Sequence, residues 1–245
     1  MAKRKKNKQY KPTPNKYLSL LADELKEELT GKRTASSLDR DEKQILMQEY
    51  RIRAIPVCWG IPMDEVMFSK WFVNFVRMTA MPWDSFVTTE STYLPDARND
   101  VHTTFLNDTD APYLMMLDSD VLPPPNIVEI LMSHNKHIVG GWYKNKNMRA
   151  SIDHHPIIYD FYSESETELN WAHRKEPGVG LEKVDGMGAG CWLMSRELAE
   201  ALGEEPYDME RGTEDLVLCK KIMDLGYDMW VDWDVPCAHM GVFWV

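Results

Sequence analysis

The apolar run Tyr113-Leu-Met-Met-Leu117, followed at once by Asp118-Ser-Asp120, constrains this chain more than any other stretch. Ala111-Pro112 precedes it and Pro123 to Pro125 follow it, so it reads as a short buried strand with a sharp end. Ligands of open α/β sheets bind outside the C-terminal ends of such strands. Asp118 and Asp120, spaced i, i+2, share one face if the chain stays extended. Two hard oxygen donors there suit Mg²⁺ or Mn²⁺ carrying a diphosphate. An acidic pair of this kind also closes ordinary strands at a surface turn, so the rest of the chain has to decide.

Around that strand, helical and extended patterns alternate. Ala54 to Cys58 reads as a first strand closed by Gly60 and Pro62, then Asp64 to Met81 as helix with Asp64 near its N-cap. Phe86 to Thr89 reads as strand, Asp96 to Phe105 as helix, Ile127 to Ser133 as helix behind its prolines, and Ile138 to Tyr143 as a strand interrupted by glycine. This alternation predicts a single α/β domain with a mostly parallel, Rossmann-like mixed sheet covered by helices on both faces. Asn145 to Gly180 breaks the pattern. It is polar and acidic, and is expected to be an irregular loop beside a site, with Ile157 to Tyr162 as an added strand.

Charge divides the chain. Residues 1–16 hold seven Lys or Arg and no acid, which leaves 21 basic against 39 acidic side chains in the remainder. Residues 1–16 read as a disordered basic tail and 17–52 as a helical extension, with Leu18, Leu21, Leu25 and Leu29 on one stripe and a second helix over Asp41 to Tyr50. The acidic body, residues 53–245, is a poor surface for a phosphate polymer, whereas the tail could contact nucleic acid, an anionic membrane or an acidic partner. No apolar run approaches the ~20 residues that span a bilayer, and no signal-peptide pattern opens the chain. Four scattered cysteines without a C-x-x-C spacing favour reduced thiols and a cytoplasmic location.

Three further motifs fall in the second half. Val184-Asp-Gly-Met-Gly-Ala-Gly-Cys191 packs three glycines into five positions before the apolar Trp192-Leu-Met194. Such glycines admit close backbone approach to a ligand, or make a bulge or tight turn. Thr213-Glu-Asp215 opens a helix running to Leu225, with Thr213 as N-cap; acids in a first turn are favoured by the helix dipole whether or not they do chemistry. His239 follows a last apolar strand.

In this order the motifs resemble those of the GT-A glycosyltransferases, particularly the family 2-like enzymes, over about Arg53 to Gly241. Small single-domain members of this kind are similar to transferases encoded by viruses of bacteria. The resemblance implies a metal-dependent transferase moving a sugar from a UDP- or GDP-sugar to a hydroxyl acceptor on a modified DNA base, a protein or a glycan. It assigns Asp118, Asp120 and His239 to the metal, and Pro56, Val57, Cys58, Trp59, Gly60, Arg98, Asp118, Ser119, Asp120, Gly188 and Ala189 to the donor. Gly190 falls to the acceptor, Asp215 to the catalytic base of an inverting enzyme, and Glu214 beside it. Independently of the resemblance, the rings of Trp142, Tyr143, Trp171 and Trp192 could stack on a sugar acceptor or a base, though most aromatics in such a chain are core. A sugar nucleotidyltransferase would carry a basic, glycine-rich loop after the first strand, where this chain has Val57-Cys-Trp-Gly-Ile-Pro62. A non-catalytic carbohydrate-binding relative would be expected to have lost some of the acids.

Overall fold

The structure is a computed structural model that describes residues 54–63, 68–78, 80–89, 93–145 and 155–240. The expected tail and helical extension lie outside the described residues. A seven-stranded sheet organises the body in the order β2 (Ser85–Thr89), β1 (Val57–Pro62), β3 (Tyr113–Leu117), β10 (Cys191–Ser195), β5 (Ile138–Trp142), β11 (Met229–Pro236), β8 (Leu181–Val184). β1 runs parallel to β2 and β3, and β5 parallel to β11. β10 is antiparallel to both β3 and β5, and β8 is antiparallel to β11. Five of the seven strands therefore share one direction, giving a mixed, mostly parallel sheet. β3 is buried at Leu114 to Leu117, as a continuous apolar run at the centre of a covered sheet must be.

Helices flank the sheet. α2 (Leu94–Asp108) packs on β1 and β2, α3 (Ile127–Ser133) and α4 (Arg196–Leu202) pack on β10, and α5 (Glu214–Asp224) packs on β11. α4 starts where the Ser195 side chain accepts the Leu198 amide, a normal N-cap. α1 (Ser69–Arg77) is shorter than its expected span, and residues 64–67 lie outside the described residues. α2 begins two residues earlier than expected, because Pro95 fits a first helical turn that lacks N–H partners anyway.

Two expectations about strands are corrected. β1 does not stop before Gly60; it runs through it to Pro62. A Cβ on Gly60 would lie 2.3 Å from Val101 of α2 and 2.9 Å from Leu114, so this glycine permits close helix–sheet packing rather than a turn. Pro62 sits at the strand's end, where a missing N–H costs least. The described part of the polar insertion, from residue 155 on, is also more ordered than expected. β6 (Ile158–Glu164) and β7 (Leu169–His173) form an antiparallel hairpin, and β6 pairs with β9 (Gly186–Met187). Glu164 on the hairpin is ion-paired to Arg211 and to Lys220 of α5, so part of the acidic cluster serves as an anchor.

Candidate active site

The apolar strand β3 delivers Asp118 to the C-terminal edge of the sheet. There the Asp118 amide donates to the Gly190 carbonyl (2.9 Å), and the Trp71 indole of α1 donates to the Asp118 carbonyl (2.9 Å). A two-stranded ribbon of β4 (Val121–Leu122) and β12 (Ala238–His239) pairs Val121 with His239, and the Met240 amide donates to the Asp120 carbonyl at 2.8 Å. These backbone ties, made across more than a hundred residues, carry His239 to Asp120. Its Nε2 lies 3.5 Å from Asp120 Oδ1.

Around them opens a cleft of about 350 Å³. Pro62, Met63, Leu94, Ala97, Arg98, Asp118, Ser119, Asp120, Tyr143, Ile157, Ala189, Glu214, Asp215 and His239 line it. The structure thus brings together eight of the expected site residues: Arg98, Asp118, Ser119, Asp120, Ala189, Glu214, Asp215 and His239.

Others are placed elsewhere. Val57, Cys58, Trp59 and Gly60 are buried within β1 and Pro56 lies before it, while the strand's true end brings Pro62 and Met63 to the cleft. The shift follows from the extra length of β1. Trp192 is fully buried in the central strand β10, a core residue rather than an acceptor platform. Trp142 donates through Nε1 to the Trp233 carbonyl and packs against that ring, and is not among the cleft-lining residues. Gly188 and Gly190 do not line the cleft directly either; the Tyr143 phenol occupies the space their side chains would fill.

Arg98 lines the cleft and is bonded to its acids. It is 2% exposed, and its Nη2 donates to both oxygens of Asp118 at 3.0 and 2.9 Å. Its Nε lies 3.6 Å from Glu214 Oε1, an ion pair without a hydrogen bond. Burial alone would lower the guanidinium pKa, but Asp118 and the other acidic neighbours hold it above its ordinary value. Arg98 therefore braces Asp118 against the helix start at Glu214. Burial pushes the Asp118 carboxyl up, opposed by Arg98. Glu214 is pushed up by burial and by Asp215, again opposed by Arg98. At the start of α5, Thr213 holds the N-cap position, but its hydroxyl donates to Asp215 Oδ1 instead of accepting a backbone amide.

The donor set bears on a metal. Among the described residues no three His, Cys, Asp or Glu side chains converge as a metal cluster. Both oxygens of Asp118, one of the expected trio, accept hydrogen bonds from Arg98. Asp120 and His239 nonetheless fit a divalent ion. His239 Nδ1 lies 2.8 Å from the Lys144 carbonyl, which can only accept, so Nδ1 carries the proton. Nε2 is the ring nitrogen turned toward Asp120, and an imidazole held through Nδ1 by a backbone carbonyl is oriented as metal ligation needs.

Sequence reasoning missed Ile157, Leu94 and Met63 in the cleft wall, and Trp71 beneath it. None belongs to a motif; each arrives from its own element.

No protein-family model matches the sequence, and no curated protein does. Solved structures share the fold. A197 from STIV matches with a TM-score of 0.53 and 18% identity over 77% of this chain and 86% of that one. GalNAc-T7, solved with UDP, GalNAc and Mn²⁺, matches with a TM-score of 0.51 and 12% identity over 76% of this chain; the match spans 44% of its own length. The fold is therefore α/β of the GT-A-like type. Among the described residues no helix is long and apolar enough to cross a membrane.

Proposed function

We propose that this protein is a glycosyltransferase that moves a sugar from a UDP- or GDP-sugar to a hydroxyl acceptor. The observation that carries the reading is the meeting, in one cleft, of an acidic pair at a strand end, a second acidic pair at a helix start, and a histidine oriented toward the first pair. The fold shared with GalNAc-T7, whose structure holds UDP, GalNAc and Mn²⁺, supports a nucleotide-sugar and a divalent ion by analogy.

In this reading Asp120 and His239 hold Mn²⁺ or Mg²⁺, which when bound neutralises charge on the departing diphosphate. Arg98 fixes Asp118 and draws the start of α5 toward it. Asp215 accepts the acceptor's hydroxyl proton as that oxygen bonds to the anomeric carbon. The bond from that carbon to the diphosphate oxygen breaks, and its electron pair leaves with the nucleoside diphosphate. Configuration inverts. Residues 53–245 form the catalytic body, and the basic tail over 1–16 offers a docking arm for a polyanionic acceptor.

The test is release of nucleoside diphosphate from a panel of UDP-, GDP- and TDP-sugars with Mn²⁺, repeated after chelation. Metal-dependent release from at least one donor is expected. No release or binding across the panel would remove the glycosyl-transfer reading.

A further inference from the structure

The three-glycine segment before β10 has an occupant within the chain itself. Tyr143, just past β5, is 5% exposed and lines the cleft. The Gly190 amide donates to its phenolic oxygen at 2.7 Å. A Cβ at Gly188 would lie 2.5 Å from that oxygen, and one at Gly190 would lie 2.6 Å from it. The same Cβ on Gly190 would lie 2.8 Å from Asp118 Oδ2. The G-A-G spacing therefore makes a seat for one hydroxyl beside the D-x-D acids. The ring is held from another side by an edge-on contact with His239, centroids 5.0 Å apart.

A phenol both donates and accepts. The Gly190 amide donates to it, which leaves its O–H able to donate to an oxygen that enters the cleft. A buried donor gains from such a partner. The phenol lines the same cleft as Asp118, Asp120, Glu214 and Asp215. These acids disfavour a phosphate oxygen beside it, while a neutral hydroxyl meets no such penalty.

We infer that Tyr143 donates a hydrogen bond to a hydroxyl of the transferred sugar and is a specificity-determining residue for the donor. This assignment rests on the glycosyl-transfer reading above. It gives the glycine motif a definite task, which is to fix one phenol.

Calorimetry with Mn²⁺ present decides it. UDP and GDP are titrated alongside the UDP- or GDP-sugar that the wild type binds most tightly, into wild type, Tyr143→Phe and Gly188→Ala. The Phe variant keeps the ring and its contact with His239. It is expected to bind the nucleotide-sugar about tenfold more weakly, the usual worth of one such hydrogen bond, with binding of the bare nucleoside diphosphate unchanged. Gly188→Ala, which crowds the phenol without removing it, should show the same selective loss, and it serves as the readout if the Phe variant proves unstable. Equal loss for both ligands, or no loss for either, overturns the assignment and leaves glycosyl transfer standing. A wild type that binds no nucleotide-sugar overturns both.

Discussion

The two acidic pairs in the cleft are built alike and held differently. In each, the first acid answers Arg98 and the second lines the cleft beside it: Asp118 with Asp120, Glu214 with Asp215. The strand-end pair is fixed by long-range ties, through the Gly190 carbonyl, the Trp71 indole and the Met240 amide. The helix-start pair is held differently: Asp215 by local bonds from Thr213 and the Leu216 amide, and Glu214 by a distant Arg98 through an ion pair at 3.6 Å rather than a hydrogen bond. A group that must hold an ion bearing substrate gains from a rigid frame. A base that must meet an incoming hydroxyl can tolerate some adjustment along its helix. One buried guanidinium couples the two.

The largest expected effect breaks the rigid pair. Asp120→Ala should lower turnover of the nucleotide-sugar by ~10³-fold, the upper end of what losing one electrostatic stabiliser costs. Mn²⁺ affinity in the presence of nucleotide should fall with it. Normal turnover in that variant would detach the D-x-D acids from the chemistry. Next, Asp215→Asn should reduce kcat by about 10²–10⁴-fold with donor affinity little changed, since a base acts on the acceptor side. If instead only stability falls, by roughly 0.3–1 kcal/mol, Asp215 is a helix-dipole residue and nothing more.

Removing the shared brace should cost stability first. Arg98→Met leaves Asp118 and Glu214 without their counter-charge, and breaking such a buried pair costs ~3–5 kcal/mol. Asp118's side chain keeps 21% exposure, so the lower end, about 3 kcal/mol, is expected from denaturant unfolding. A loss within experimental error would show that the two pairs are independent.

The smallest effect concerns Glu214, whose folded-state pKa is raised chiefly by burial. Its protonation favours the folded state below the ordinary carboxylate pKa, and that stability is lost as pH rises through the raised value. Glu214→Gln mimics the protonated form. It should match or exceed wild-type melting temperature at pH 7, with the difference shrinking below about pH 4. A variant clearly less stable at pH 7 would mean that Arg98 needs the Glu214 charge.

What the sequence determined by itself was local. A continuous apolar run must be a buried strand, and an acid after it must emerge at the sheet's edge, so Asp118 and Asp120 could be read directly. Glu214 and Asp215 were legible as first-turn acids behind Thr213, and most elements from Phe86 onward matched their patterns because periodicity and proline placement are short-range signals. The tertiary structure decided what depended on partners far along the chain. Tyr143 meets Gly190 across 47 residues, and Trp71 meets Asp118 across 47. No local pattern marks either contact. Gly60 looked like a stop because the helix packed against it was not visible, and no local pattern marks the bonds from Arg98 to Asp118, 20 residues away. Trp192 was read as an acceptor residue from its chemistry, but the position of β10 at the centre of the sheet buried it. Packing assigns such residues their roles, because whether a side chain faces ligand or core depends on which strands close around it.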